Sequence, residues 1–219
     1  MPLGIGHALV GYDLAWIFQP YIAFLATMLA LSLYALLGPL VPLRPLRAFA
    51  AFVAAQPAIL YGYSLWGGIK ELAGAWLFAL LAVLVPWTLG PRSSARAVAP
   101  LATVCAAIVC VLSLPAVGWL LPAAVVAGVL LWRKPVRSVP VKVGVFAAAA
   151  VVLAVPAIVA AIDWLPKVSS FRQETELGNL FGPLSKLQAF GVWPVGDFRV
   201  RPDDIAPTYV LIAVVVAAG

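Results

Sequence analysis

The adjacent charges Lys70 and Glu71 are the first place in this sequence where chemistry could occur. They follow the glycine pair Gly67-Gly68 and stand between two apolar runs in the segment 56–78. Glycine lets a backbone approach a ligand closely. Glu71 could accept hydrogen bonds from sugar hydroxyls or coordinate a metal, and Lys70 could bind phosphate. The alternative is a solvated turn whose charges anchor it at a membrane interface.

The stretch 163–207 is the only long polar part of the chain, and it mixes aromatic and charged residues. Long loops of this kind are often functional. It is predicted to hold short interfacial helices and to cover an external site, where basic residues bind phosphate and a tryptophan stacks on a sugar ring. The alternative is a structural cap with aromatic anchors. The candidate binding residues here are Arg172, Lys186, Trp193, Arg199 and Arg201.

Asp13 is the third candidate, as a catalytic base just outside the first apolar run. The alternative is that Asp13 caps a helix that starts at Leu14. His7 alone is a poor metal ligand, and Cys105 and Cys110 resemble small buried hydrophobes more than a metal pair. The sequence therefore predicts no metal site and identifies no cofactor.

These residues are embedded in a very apolar chain. Of its 219 residues, 64% are hydrophobic and 10% are charged, and the mean hydropathy is +1.08. Soluble domains carry about 25% charged residues. Apolar runs of about 20 residues match a helix that crosses a bilayer, and they are continuous rather than alternating, which argues against a β-barrel. The basic residues lie in short loops, so nucleic acid is not expected as a partner, whereas membrane lipid is.

The fold class expected is all-α, a polytopic transmembrane helical bundle of about six to seven spans within a helical region 1–162. The loop 163–207 follows, and 208–219 would begin a truncated helix, so the chain is expected to be a fragment. One kinked helix over 98–132 is the alternative to two. The predicted spans are 18–37, 48–64, 72–89, 98–114, 119–132 and 143–162.

The charges sort onto two sides of this arrangement. The loops 39–47, 90–97 and 133–142 contain eight basic residues and no acidic residue. Cytoplasmic loops carry the excess of lysine and arginine. These three loops are therefore predicted to be cytoplasmic and the loop 163–207 extracytoplasmic, in a multi-pass protein of the plasma membrane. A single span over 98–132 would break this separation.

Known soluble catalytic signatures are missing: the sequence has no phosphate-binding P-loop, zinc spacing, nucleophile elbow or dinucleotide fingerprint. The predicted spans also lack internal charges. Transporters coupled to protons or ions usually need acids or bases inside the membrane, so this absence argues against such a transporter.

The segment LRPLRAFAAFVAAQPAILYGYSLWGGIKELAGAWLFALLAVLVP (residues 43–86), with its basic inner loop and proline-punctuated spans, resembles membrane glycosyltransferases of the GT-C class. The aromatic, polar outer loop extends the likeness over most of the chain. The resemblance implies a polyprenyl-phosphate sugar donor as partner. In that class the catalytic acid lies in the first outer loop, after the first transmembrane helix, and no such motif matches here. Asp13 is the only acid ahead of the first span.

The leading hypothesis is accordingly a glycosyltransferase, or part of one, acting at the outer membrane face. In this hypothesis an acid, Asp13 or Glu71, deprotonates the acceptor hydroxyl. Basic residues stabilise the departing lipid phosphate. A membrane carrier or flippase and a non-catalytic membrane scaffold are the alternatives. Loss of one outer-face acid should inactivate a transferase, whereas a carrier should depend on residues inside its spans.

Overall fold

The computed structural model describes residues 2–90, 94–113, 116–133, 139–171 and 184–218, and every regular element within them is helical. The all-α class is therefore confirmed for this part of the chain. Two short 3-10 helices, Ala95–Ala97 and Lys186–Phe190, accompany the α-helices. The α-helices are α1 (Pro2–Val10), α2 (Leu14–Leu36), α3 (Arg44–Ala54), α4 (Ala58–Leu65), α5 (Ile69–Thr88), α6 (Val98–Leu112), α7 (Ala116–Arg133), α8 (Val139–Phe171) and α9 (Ala206–Ala218).

Three of these helices are long and apolar enough to cross a membrane: α2, α5 and the stretch Pro140–Asp163 of α8. The bent pair α3 and α4 would be a fourth if it crosses as one unit. Helix α6 has 15 residues, which cover about 22 Å at the helical rise, short of a hydrocarbon core of about 30 Å. Within the described residues the predicted count of six to seven spans is thus not confirmed.

The predicted second span, 48–64, is broken rather than continuous. Helices α3 and α4 meet at 60°, and Pro57 stands at the break as the residue that caps α4. Proline has no N–H and disfavours helical geometry in the residue before it, which favours a kink or a break at this point. Hydropathy is blind to this restriction, which explains why the segment looks like a single span in the sequence.

Helices α2 and α5 pack side by side and run in the same direction. Phe18 at the start of α2 lies against Gly67, just before α5. Further along both helices, the ring of Phe24 in α2 meets the ring of Trp76 in α5 edge to face, with 6.1 Å between the centroids. The core between them consists of Ile22, Leu25, Leu29, Ala55, Leu72 and Ala73. A second core joins α5 to α6 and α7 through Leu77, Leu81, Val85, Val104, Ile108 and Ala116.

The bundle has two chemically different ends. Helices α2 and α5 finish at one end, here called the basic end. There the guanidinium of Arg47 stacks on Tyr34 at 4.6 Å, and Lys142 of α8 donates to the carbonyl oxygen of Thr88 at 3.2 Å. The opposite end holds the start of both helices, with Asp13, Lys70 and Glu71. This separation agrees with the sorting of charges in the sequence; which end faces the cytoplasm stays a prediction.

Residues 98–132 contain two helices, α6 and α7, separated at Ser113, whose φ is +58°. Leu101, near the start of α6, and Leu131, near the end of α7, line the same cavity. The two helices therefore run antiparallel. Much of the apolar surface of α7, α8 and α9 faces outward; Trp132, for example, is 88% exposed. Such a surface is costly in water and is compatible with a lipid environment.

Candidate functional site at the turn before α5

The turn between α4 and α5 requires both of its glycines for its own geometry. Gly67 has φ +76°, and a Cβ there would lie 3.0 Å from the Phe18 ring. Gly68 donates its N–H to the carbonyl oxygen of Tyr63 at 2.6 Å, and a Cβ there would lie 2.8 Å from the Tyr63 side chain. Left-handed geometry and close approach both favour glycine. The pair therefore positions the first turn of α5, where Lys70 and Glu71 are exposed.

Residues 184–205, which we call the surface loop, dock onto α4. Phe198, 5% exposed, lies against Gly62, and its ring centroid is 4.7 Å from that of Tyr63. At the other end of α4 the carbonyl oxygen of Gly191 accepts the N–H of Ala58 at 2.9 Å. This bond satisfies one of the orphan N–H groups of the α4 N-terminus. The surface loop is thereby held at both ends of one short helix.

Arg199 joins the surface loop to the turn. Its guanidinium carbon lies 3.5 Å from the centroid of the Trp66 ring. Its Nε and Nη2 donate to the carboxylate of Asp197, with Nη2 to Oδ2 at 2.7 Å. Because Trp66 is 51% exposed, this stack of cation on indole lies at the surface. A paired carboxylate fixes the plane of the guanidinium, which suits stacking on an aromatic face.

The interior of the surface loop is held by Trp193 and Gln188. Trp193 is 6% exposed and donates Nε1–H to the carbonyl oxygen of Val200 at 3.0 Å. Gln188 donates its amide to the carbonyl oxygen of Phe198. The sequence predicts that Trp193 stacks on a sugar ring, but its ring lies inside the loop, and Trp66 presents an exposed indole at this end.

The remaining predicted site residues fall into three groups. Lys186 starts the short 3-10 helix and is exposed, as is Arg201. Asp13 caps α2 by accepting the N–H of Ala15 at 2.9 Å, in line with the helix-cap alternative. Arg172 lies outside the described residues. Of the predicted residues, Arg199 thus stacks on Trp66 just before the turn, and Lys70 and Glu71 lie in the first turn of α5 directly after it.

Sequence reasoning missed Trp66 and Asp197 as members of this site. Trp66 looks like an ordinary interfacial anchor in the sequence, and Asp197 has no partner that a pattern would suggest. The available signals were local: Trp66 directly precedes the glycine pair, and Asp197 stands two residues before Arg199. We use the name turn face for the Asp197–Arg199 pair stacked on Trp66 together with the exposed Lys70 and Glu71 of the first turn of α5.

The ion pair of the turn face makes the docking of the surface loop sensitive to acid. Hydrogen bonds from Arg199 hold the pKa of Asp197 below its ordinary value. A carboxylate of this kind stabilises the folded state above its unfolded pKa of about 4, and the contribution disappears as pH falls through the lower folded pKa. Wild-type protein should therefore melt at higher temperature than Asp197→Asn near neutral pH, and the difference should vanish in acid.

Thermal unfolding in detergent, monitored from pH 7 down to strongly acidic pH, measures this difference. The matched control is Asp203→Asn, because Asp203 is an exposed aspartate of the same loop. A constant difference between wild type and Asp197→Asn at every pH would contradict the role given to the ion pair.

The turn face and the helices define the class of the molecule: an all-α chain with three described helices able to cross a membrane and a polar, aromatic surface at one end of the bundle. Comparison with protein-family models, curated proteins and solved structures finds no match for this chain.

Proposed function

We propose that this chain is a multi-pass membrane protein, or part of one, that transfers a sugar from a polyprenyl-phosphate donor to an acceptor at the turn face. The observation that carries the proposal is the composition of that face. An exposed carboxylate, an exposed lysine, an arginine held in one plane and an exposed indole come together at one end of an apolar bundle. A lipid-linked sugar donor has an apolar tail and a polar head, so it needs a membrane for the tail and a polar site at the membrane surface for the head.

Each residue has a distinct task in the proposed reaction. Glu71 takes the proton of the acceptor hydroxyl as its oxygen attacks the anomeric carbon of the sugar. The bond from that carbon to the phosphate oxygen breaks, and the polyprenyl phosphate leaves. Lys70 stabilises the charge of the departing phosphate, supported by Arg199. Trp66 provides a flat apolar surface for the sugar ring.

The location of the proposed site depends on the distribution of basic residues. The turn face lies at the end opposite Arg47 and Lys142. If the basic end faces the cytoplasm, as lysine and arginine bias suggests, transfer takes place on the extracytoplasmic side, and the plasma membrane is the expected location. The variant Arg201→Cys should be labelled by a membrane-impermeant thiol reagent from outside intact cells, and labelling only after the cells are opened would contradict this orientation.

The proposal as a whole is tested with the full chain reconstituted in liposomes and a radiolabelled polyprenyl-phosphate sugar. We expect saturable donor binding and appearance of label in a water-soluble acceptor, against protein-free liposomes as control. If the protein shows no donor binding and no transfer, the enzyme hypothesis is rejected and a scaffold is favoured. Binding without transfer, together with movement of the donor across the bilayer, would favour a carrier or flippase.

A further inference from the structure

The corner between α2 and α3 contains an arginine that has no anionic partner within the described part of the chain. The guanidinium carbon of Arg47 lies 4.6 Å from the centroid of the Tyr34 ring. Its Nη1 packs so closely on Gly38 that a Cβ added there would be 3.1 Å away. Its Nε is buried and has no hydrogen-bond partner among the described residues. Charges that are taken out of water are normally paired, so this guanidinium needs a counter-ion.

The described residues place no carboxylate near this corner. No acidic residue occurs between Asp13 and Glu71, and these two lie where α2 and α5 begin, at the opposite end of the bundle. The carbonyl groups that end α2 act as about half a negative charge, which is too little to balance a full one. The counter-ion must therefore come from outside the chain.

Arg44 adds a second positive charge to the corner, one turn before Arg47 on the same helix. Residues three apart lie side by side on a helix surface, and like charges in this arrangement repel each other. Arg44 is exposed. The N-terminus of α3, whose N–H groups are not capped by a side chain, adds about half a positive charge. An anion between the two guanidinium groups removes the repulsion, and phosphate suits arginine because its oxygens accept charge-assisted hydrogen bonds.

The side chains beside the two arginines indicate that the phosphate belongs to a lipid. They are large, apolar and exposed: Leu40, Leu43, Leu46 and Phe49. A free phosphate ion would leave them uncovered, whereas a phospholipid brings its phosphate to the arginines and its acyl chains to the apolar side chains. Basic clusters at a membrane surface attract anionic headgroups, and this corner lies at the basic end of the bundle.

We propose that the corner between α2 and α3 binds one anionic phospholipid of the surrounding membrane, with its phosphate held by Arg44 and Arg47. The Tyr34 ring keeps the guanidinium of Arg47 in position for this contact. The lipid balances the charge of the corner and fastens the start of α3 to the membrane surface. This inference is independent of the proposed sugar transfer, because it concerns the opposite end of the bundle and none of the turn-face residues.

Equilibrium binding of radiolabelled dioleoyl phosphatidylglycerol to the full chain in a neutral detergent tests the proposal. We expect one lipid to bind with high affinity. Unlabelled dioleoyl phosphatidylcholine should compete poorly, because its headgroup has no net charge. An excess of inorganic phosphate should leave the lipid bound, because the free ion lacks acyl chains. Displacement by inorganic phosphate would reveal a site for the free ion, and equal competition by phosphatidylcholine would reveal a site that does not select for charge. Either result would overturn the proposal.

Arg47→Gln should weaken phosphatidylglycerol binding about tenfold or more, the usual effect of losing a charge-assisted hydrogen bond. Arg44→Gln should weaken it about fivefold, and because Arg44 is exposed, this variant keeps the test valid if Arg47→Gln does not fold. The matched control is Arg96→Gln, at an exposed arginine in the short 3-10 helix Ala95–Ala97, which should bind the lipid as wild type does. Unchanged binding in Arg44→Gln or in a folded Arg47→Gln, or an equal loss in Arg96→Gln, would reject the site.

Discussion

Replacing Glu71 with glutamine is expected to slow sugar transfer about 100-fold or more, the usual contribution of a general base. Donor binding should change little, because glutamine keeps the shape and the hydrogen-bonding oxygen of the side chain. Glu71 lies in the first turn of α5 and is exposed, so the substitution costs little stability. The measurement is single-turnover transfer from a radiolabelled polyprenyl-phosphate sugar in liposomes, with donor binding measured separately on the same preparations.

Asp13→Asn is the control for this experiment. Asp13 caps α2 with its carboxylate oxygen, and asparagine caps a helix about as well, so the variant should fold and retain most of its transfer activity. If Asp13→Asn inactivates the protein and Glu71→Gln does not, the proposed base is the wrong one of the two predicted acids. If both variants are fully active, the turn face is not the catalytic site.

Replacing Gly62 with alanine is expected to detach the surface loop from α4. A Cβ at this position would lie 2.5 Å from Phe198 Cδ1 and 3.2 Å from Cγ, and those atoms are the inner part of the ring, which cannot move away independently. Overpacking of this kind costs about 1–3 kcal/mol, and about 1.4 kcal/mol already raises the undocked population roughly tenfold. Helix propensity alone predicts the opposite, since alanine is favoured over glycine by about 1 kcal/mol.

Limited trypsin digestion in detergent measures the undocking, because trypsin cuts after Arg199 only when the loop is accessible. We expect cleavage at Arg199 to become about tenfold faster in Gly62→Ala, in proportion to the undocked population. The matched control is Gly144→Ala on α8, where an added Cβ has nothing within 4 Å. Equal cleavage rates in the two variants would show that the loop does not depend on the contact between Gly62 and Phe198.

A loss of docking should also reach the turn face. Arg199 holds its position over Trp66 only while Phe198 stays on α4, because both side chains belong to one short stretch of the loop. Gly62→Ala is therefore expected to reduce transfer as well, through the arrangement of the site rather than through its chemistry. Donor binding should weaken together with transfer in this variant, in contrast to Glu71→Gln.

Local patterns in the sequence determined a good part of this molecule. The continuous apolar runs indicate helices, because they lack the alternation of apolar and polar residues that barrel strands show. Asp13 ahead of Leu14 predicts the helix cap that is observed. Gly67-Gly68 predicts the turn before α5. The sequence also predicts the separation of basic from acidic residues, because the basic residues cluster in the short loops between apolar runs. These features depend on neighbours within a few turns, which is the range that periodicity and propensity describe.

Other features were decided by tertiary packing. The six to seven predicted spans are not confirmed within the described residues, and one reason is that hydropathy measures the length of an apolar run and does not register the break at Pro57 between α3 and α4. Likewise, nothing in the sequence of the polar stretch distinguishes the buried Trp193 from an exposed ring. Its position depends on the carbonyl oxygen of Val200, which becomes available only when the loop has folded.

The turn face shows the division most clearly. The sequence by itself established an apolar helical chain with Lys70 and Glu71 at a glycine turn and a distant polar loop. Only the tertiary structure brought Arg199 onto Trp66 and enclosed Lys142 beside an apolar cavity. The physical reason is range. Contacts between residues far apart in the sequence depend on whether surfaces such as Gly62 and Phe198 fit, and that fit is a property of the packed helices rather than of any stretch of the chain.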